Sequence, residues 1–310
     1  MIAEKQYIIP ATINEAIEKA KANAGYFKYL AGGTDVMVNR YQGNETSLCL
    51  IDITKIDELK GITKQDNYLR IGSLEILEEL KFNTEIKTEF PMLIEAALSV
   101  GAPLLRKTAT IGGNVLCENR CLFYNQSEWW REAVGYCLKC EGDICIATGG
   151  KNACFSELVS DTAPALIAMN AEIEFIDENG KQKQKLENIY TGDGVKPRNL
   201  SETAIVTAIL LPLNKNYKTA FFKLRERESL EFTSLTSAVA VDKNGNIKIA
   251  LSGVDPKPVV VEGTTSDDIQ ELIKKAVKSA RAVENDMYSR KYRREMIAVF
   301  LEKSFAKLFE

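Results

Sequence analysis

Apolar and polar positions along this chain follow two periods, close to four and two residues, that replace one another several times. Thr12 and Glu15 form a capping-box pattern ahead of Ala16, Ile17 and Ala20, which predicts a helix stopped at Gly25. Short apolar runs at 27–31, 48–53 and 68–72 predict strands, and the stretches at about 74–81 and 90–100 predict helices. Strands interleaved with helices point to βαβ units and a small parallel sheet. Further on, 172–176 and 181–186 flank Asn179-Gly180, a strong hairpin signal, and a second hairpin is expected at Asn244-Gly245. Between them, 205–211 reads as a buried strand closed by Pro212, with a boundary at about 212–218. Ile269, Leu272, Ile273, Ala276, Val277 and Ala280 repeat at helical spacing, and a last helix is expected over about 290–308.

Between residues 116 and 156 the periodicity is lost. About 40 residues without a pattern is too long for an ordinary connector. The stretch holds Trp129, Trp130 and six of the seven cysteines, which favours an organised insertion packed by its tryptophans. The seventh, Cys49, lies in an apolar strand and reads as a small core residue.

A length of 310 residues suits two domains. Lys plus Arg number 40 against 43 Asp plus Glu, so the chain lacks the basic excess of a nucleic-acid binder. No apolar run reaches the ~20 residues of a membrane span. The opening MIAEKQYIIP lacks the layout of a signal peptide, so a cytoplasmic location is expected. There is no histidine, which excludes Ser-His-Asp catalysis, His-bound zinc and Rieske-type clusters.

Two glycine turns are candidate anion cradles. Ala31-Gly32-Gly33-Thr34-Asp35 joins a strand to a helix, and Thr110-Ile111-Gly112-Gly113-Asn114 precedes the cysteine segment. Paired glycines let backbone amides converge on a pyrophosphate, although an ordinary tight turn explains either one taken singly. The cysteines allow two metal readings. Cys117, Cys121, Cys137 and Cys140 have the spacing of a zinc ribbon. Cys121, Cys137, Cys145 and Cys154, separated by 16, 8 and 9 residues, suit a four-thiolate iron–sulfur cluster wrapped by a loop. Spacing alone slightly favours zinc and leaves both open.

AGGTD at 31–35, VGAPLLRKTATIGGN at 100–114 and SDTAPAL at 160–166 resemble the flavin-bearing medium subunit of the molybdenum hydroxylases, the xanthine dehydrogenase and carbon monoxide dehydrogenase superfamily. Phe222-Lys223 with Arg227, and Tyr292-Arg293-Arg294, match its C-terminal domain. The cysteine separations resemble those of the 4-hydroxybenzoyl-CoA reductase medium subunit, which implies a [4Fe-4S] cluster on Cys121, Cys137, Cys145 and Cys154, with Cys117 and Cys140 left over.

The resemblance implies an α+β fold. It has a bipartite, PCMH-type FAD-binding domain over 1–213, carrying the iron–sulfur loop at about 116–156. A smaller C-terminal α/β domain of the CO dehydrogenase flavoprotein type follows over 214–310. FAD is expected along Lys28, Leu30, Ala31, Gly32, Gly33, Thr34, Asp35 and Val36, with Gly32, Gly33 and Thr34 at the pyrophosphate. Val100, Gly101, Thr110, Gly112, Gly113 and Asn114 would line its other side. Asp161 would accept from cofactor hydroxyls and Lys223 would sit near the flavin; without the resemblance these read as an N-cap and a solvated charge. The implied function is electron transfer between an external carrier, ferredoxin or NAD(P), a [2Fe-2S] small subunit and a molybdenum-cofactor large subunit. The added cluster suits reductive dehydroxylation of a phenolic aromatic. A zinc-stapled nucleotide-binding scaffold and a self-contained flavin oxidase are the competing readings. Because the flavin motifs lie on either side of the loop, losing the cluster is expected to leave FAD in place.

Overall fold

A computed structural model describes residues 5–309. Three sheets carry the architecture. The first is parallel, β1 (Gln6–Ile8), β2 (Phe27–Leu30) and β3 (Cys49–Asp52), in the order β1-β3-β2. Helix Ile13–Ala22 covers it, capped by the Thr12 hydroxyl and burying Ile13, Ala16, Ile17 and Ala20. The helix ends before Asn23, earlier than expected, and Gly25 takes a left-handed turn three residues beyond it. Cys49 is buried in this sheet's core.

The second sheet is antiparallel, with β4 (Ile62–Gln65), β5 (Tyr68–Gly72), β6 (Glu172–Asp177), β7 (Gly180–Lys185) and β8 (Ile205–Pro212) in the order β4-β5-β8-β6-β7. β8 is central, which explains why all of 205–211 is buried, Thr207 included. β7 is an edge, and Lys181, Lys183 and Lys185 blunt it. The stretch expected as a helix at 74–81 is instead an isolated bridge between Ile76 and Thr110 followed by a short 3-10 turn at Leu80–Phe82. The pairing of Leu77 N–H with the Ala109 carbonyl, at 2.9 Å, decides the matter in favour of extended chain.

The third sheet is an antiparallel meander of β9 (Lys218–Leu224), β10 (Leu235–Val241), β11 (Asn246–Ser252) and β12 (Val259–Thr264). β10 has a small and a large face. Leu235, Val239 and Val241 pack with helices Ile269–Ser279 and Arg290–Phe309, whereas Ala238 and Ala240 join the core of the five-stranded sheet. The small face meets helix Thr162–Ala168, all seven residues of which are buried.

The cysteine insertion is organised, as expected, but it also contains a helix that its pattern did not announce, Glu128–Val134, capped by Ser127. Trp130 packs against Phe123 at 6.4 Å, whereas Trp129 is 75% exposed and does not pack the loop as expected. The insertion leaves the body through a narrow neck in which Arg120 and Glu157 exchange backbone hydrogen bonds of 2.9 and 2.7 Å. Arg293, on the last helix and fully buried, ion-pairs with Glu157 and donates to the Gly253 carbonyl at 2.9 Å and to Asn285 Oδ1 at 3.2 Å. Removing one member of such a pair leaves a buried charge without compensation, at a cost of about 3–5 kcal/mol. Arg293→Met should therefore lower the urea unfolding free energy by about that amount, and Glu157→Leu added to it should restore much of the loss. Additive losses would show that the pair is not coupled.

Candidate cofactor site

A cavity of about 720 Å³ opens between the first sheet, the TIGGN turn and the loop after β9. That volume is within the range of cofactor sites. The strand β2 ends in the AGGTD turn, and Ala31, Gly32, Gly33, Thr34, Asp35 and Val36 all line the cavity, as does Lys28. Leu30 does not; its Cδ1 packs 3.4 Å from where a Gly33 Cβ would lie, beneath the turn. Gly33 adopts φ +72°, and among the described residues the amides of Gly33, Thr34 and Asp35 donate to no carbonyl or side chain. Unpaired amides facing a cavity are donors waiting for an acceptor.

The two glycines of each turn divide the work. A Cβ on Gly32 would meet the Thr108 carbonyl oxygen at 1.8 Å, so this glycine lets the first turn touch the segment that leads to the second. A Cβ on Gly112 would lie 2.7 Å from Ser73 Cβ, and Gly112 packs against β5's end rather than lining the cavity. Gly113, Thr110 and Asn114 do line it. The second turn offers no spare amides, however. Ile111 and Gly112 donate to Glu75 and Ser73 carbonyls, Gly113 to Thr110 Oγ1 and Asn114 to the Thr110 carbonyl. Asn114 Oδ1 is also committed, accepting from Ser160 Oγ, Thr162 Oγ1 and the Thr162 amide, which leaves its NH₂ group as the free donor.

Val100 and Gly101 form a third side. Arg106 holds them by donating to the Val100 carbonyl at 3.1 Å while its Nε bonds Glu78 at 2.8 Å. The Gly101 carbonyl accepts from Leu230, which draws in the loop carrying Glu231 and Phe232. Asp161 lines the cavity but makes no cap bond to the helix it precedes; Ser160 Oγ does that for Ala163. Instead Asp161 bonds Lys223 Nζ at 2.8 Å and Thr236 Oγ1 at 3.2 Å. Burial raises the Asp161 carboxyl's pKa, and Lys223 opposes that rise. Lys223 is neither a solvated charge nor a cavity residue. Its ammonium is buried behind the wall, shared among Asp161 and the carbonyls of Ser99 and Glu231, and so fixes two cavity elements at once. Arg198, Tyr124, Glu118 and Lys139 also line the cavity and were missed in the sequence, because they come from the aperiodic insertion and a distant loop.

A second, small cavity is lined by Cys121, Cys137, Cys145 and Cys154 together. Among the described residues no three His, Cys, Asp or Glu side chains are drawn to coordination distance of one another, a stricter condition than sharing a cavity. Cys117 is elsewhere, on the wall of the large cavity, where burial pushes its thiol up to about 12. The zinc-ribbon set is therefore not brought together. The neighbouring Cys140 thiol holds the Cys137 thiol below its ordinary value.

Residues 3–214 match a family described as the FAD binding domain in molybdopterin dehydrogenase. The chain belongs to that family. This FAD-binding chain is 29% identical over 246 residues to the aldehyde oxidoreductase FAD-binding subunit PaoB of Escherichia coli K12, covering 76% of this chain and 77% of the relative. It is 26% identical to the xanthine dehydrogenase FAD-binding subunit of Escherichia coli O157:H7, over 80% and 74% of the two chains. Its fold matches carbon monoxide dehydrogenase from Hydrogenophaga pseudoflava with a TM-score of 0.77 at 20% identity, over 100% and 99% of the chains. The chain is thus a flavoprotein component of a molybdenum-dependent oxidoreductase, and the expected α+β, FAD-binding class holds. No helix among the described residues is long and apolar enough to cross a membrane.

The glycine roles can be separated experimentally. Gly33→Val places a branched side chain at φ +72°, a strain of about 1–3 kcal/mol, beside the free amides. It and Gly113→Val should give folded, flavin-depleted protein, whereas Gly32→Ala should lose stability as well as flavin. Full flavin content in Gly33→Val and Gly113→Val would remove the cradle assignment. A pH effect is also expected. Burial opposes ionisation of Glu118, but Lys139, Arg198 and Lys28 outweigh it and hold its carboxyl at about 2. A carboxyl depressed on folding stabilises the native state above its ordinary value of 4.5, and that stabilisation is lost as the pH falls toward 2. Urea midpoints measured across the acid range should fall less steeply in Glu118→Gln.

Proposed function

We propose that this chain is the electron-transferring flavoprotein subunit of a molybdenum-cofactor oxidoreductase and carries both FAD and a [4Fe-4S] cluster. Residues 1–213 act as the flavin domain, with the cluster loop at about 116–156, and 214–310 as the C-terminal domain. The observation that carries the reading is the pair of cavities. One is lined by both glycine turns and the other by the four widely spaced cysteines, without Cys117.

In the large cavity, the amides of Gly33, Thr34 and Asp35 are the donors for the FAD pyrophosphate, with Thr110, Gly113 and the Asn114 NH₂ opposite. Asp161, oriented by Lys223, accepts from cofactor hydroxyls, and Val100-Gly101 forms the remaining wall. FAD supplies two-electron exchange with a soluble carrier and one-electron exchange with iron–sulfur centres, and the protein's part is to bind and orient it. No histidine base is needed for that work. In the small cavity, the donor set fits the cluster chemically: four soft thiols, with no histidine or carboxylate lining the cavity.

Similarity to FAD-binding subunits supports partner chains, one holding [2Fe-2S] centres and one holding the molybdenum cofactor, and an external ferredoxin or NAD(P). The cysteine spacing supports kinship with the 4-hydroxybenzoyl-CoA reductase medium subunit and hence reductive dehydroxylation of a phenolic aromatic on the molybdenum subunit. Cytoplasmic location follows the same reading.

The test is metal and flavin analysis of six single variants, with a visible spectrum of each. Cys121→Ser, Cys137→Ser, Cys145→Ser and Cys154→Ser should each lose nearly all iron, while Cys117→Ser and Cys140→Ser keep it. Wild-type protein should show flavin bands and a broad absorption bleached by dithionite. A colourless zinc protein, or iron lost at Cys117 and Cys140 but kept at Cys145 and Cys154, would overturn the assignment.

A further inference from the structure

Tyr124 lines both cavities. This buried residue is shared by the wall of the four-cysteine cavity and the wall of the large one. Its amide donates to the Cys121 carbonyl at 3.0 Å. Lys139, between Cys137 and Cys140 in sequence, also lines the large cavity, and its side chain is only 5% exposed. The ammonium lies 5.1 Å over the Tyr124 ring and bonds Glu118 Oε1 at 2.6 Å and the Gly194 carbonyl. Gly194 in turn donates its amide to the Cys154 carbonyl at 2.8 Å. Cys121 is thus one hydrogen bond from Tyr124, Cys137 two residues from Lys139, and Cys154 two hydrogen bonds from Lys139 by way of Gly194.

We infer that the cysteine insertion is a working wall of the FAD cavity, and that loading of the four-cysteine cavity sets the affinity for FAD through Tyr124 and Lys139. The inference rests on the cluster reading above. It is a matter of linkage. The insertion has little apolar periodicity to hold it, so four thiolate–metal bonds would supply much of its order. FAD meets a complete wall only when Tyr124 and Lys139 are in place. Two ligands that both favour the ordered loop strengthen one another, and the coupling is reciprocal. This reverses the expectation drawn from motif order alone, that FAD stays when the cluster is lost.

The experiment compares full-length protein as isolated with the same protein stripped of iron by ferricyanide and EDTA. FAD affinity is read by the quenching of flavin fluorescence on titration, and iron by atomic emission. Stripping should weaken FAD binding by a factor of about 5–150, the usual range for coupled sites. Tyr124→Leu and Lys139→Met should weaken FAD and bring the ratio of stripped to loaded affinity toward one, with far-UV circular dichroism unchanged, and Tyr124→Phe should behave as wild type. Iron-replete protein whose FAD affinity is the same before and after stripping would overturn the coupling and leave the cluster reading standing. Flavin-replete protein isolated without iron would overturn the cluster reading, and the coupling with it.

Discussion

The ion pair between Arg293 and Glu157 is the constraint on which the rest of the molecule turns. Arg293 comes from the last helix, and Glu157 closes the neck of an insertion that begins more than thirty residues earlier in the chain. Its guanidinium also reaches the Gly253 carbonyl and Asn285, so the third sheet, the last helix and the neck share one buried charge network. The same neck strand leads to Arg120, whose guanidinium pairs with Asp35 at the end of the first glycine turn. A low-dielectric ion pair with few alternatives holds its partners in one geometry, and here the partners are the C-terminal helix, the cysteine loop and the edge of the cofactor cavity.

The cavity itself is a consequence of packing. Gly32 lets the first turn rest on the Thr108 carbonyl, and Gly112 lets the second rest on Ser73. Their neighbours Gly33 and Gly113 then face the same space from opposite sides. Lys223 closes the third side without touching the cavity, because its ammonium is satisfied by Asp161 and two carbonyls at once. The cofactor site is built by buried groups that hold the lining residues in place.

The cysteine insertion is more than an appendage. Arg131, the buried residue of helix Glu128–Val134, donates to the Gln42 carbonyl, and Asn125 donates to the Gln42 side chain. Asn119 bonds both Ser156 and Pro256 across the neck. The insertion thus leans on the segment that follows the first glycine turn and on the third sheet. That placement makes its Tyr124 and Lys139 neighbours of the large cavity rather than of solvent.

Much of the fold was legible in the sequence because local pattern and tertiary demand agreed. The capped first helix, the hairpin at Asn179-Gly180, the buried run of β8 and the helix from Ile269 all follow from periodicity and turn chemistry. The glycine turns were legible too, as motifs, whereas the choice of four cysteines came from the family resemblance and not from their spacing. What sequence could not supply was any property set by contacts between distant residues. The 74–81 stretch has a helical pattern but is drawn into extended pairing with residues 109–110. Glycines that look alike within each pair split into packing and cavity-facing roles. Lys223 and Asp161, 62 residues apart, satisfy each other rather than acting as a surface charge and a helix cap. The chain alone determined where paired glycines and clustered thiols occur, since residue type and spacing are local. Only the tertiary structure decided that Tyr124 stands between the two cavities, because that position depends on where the neck, clamped by Arg293, lays the insertion down.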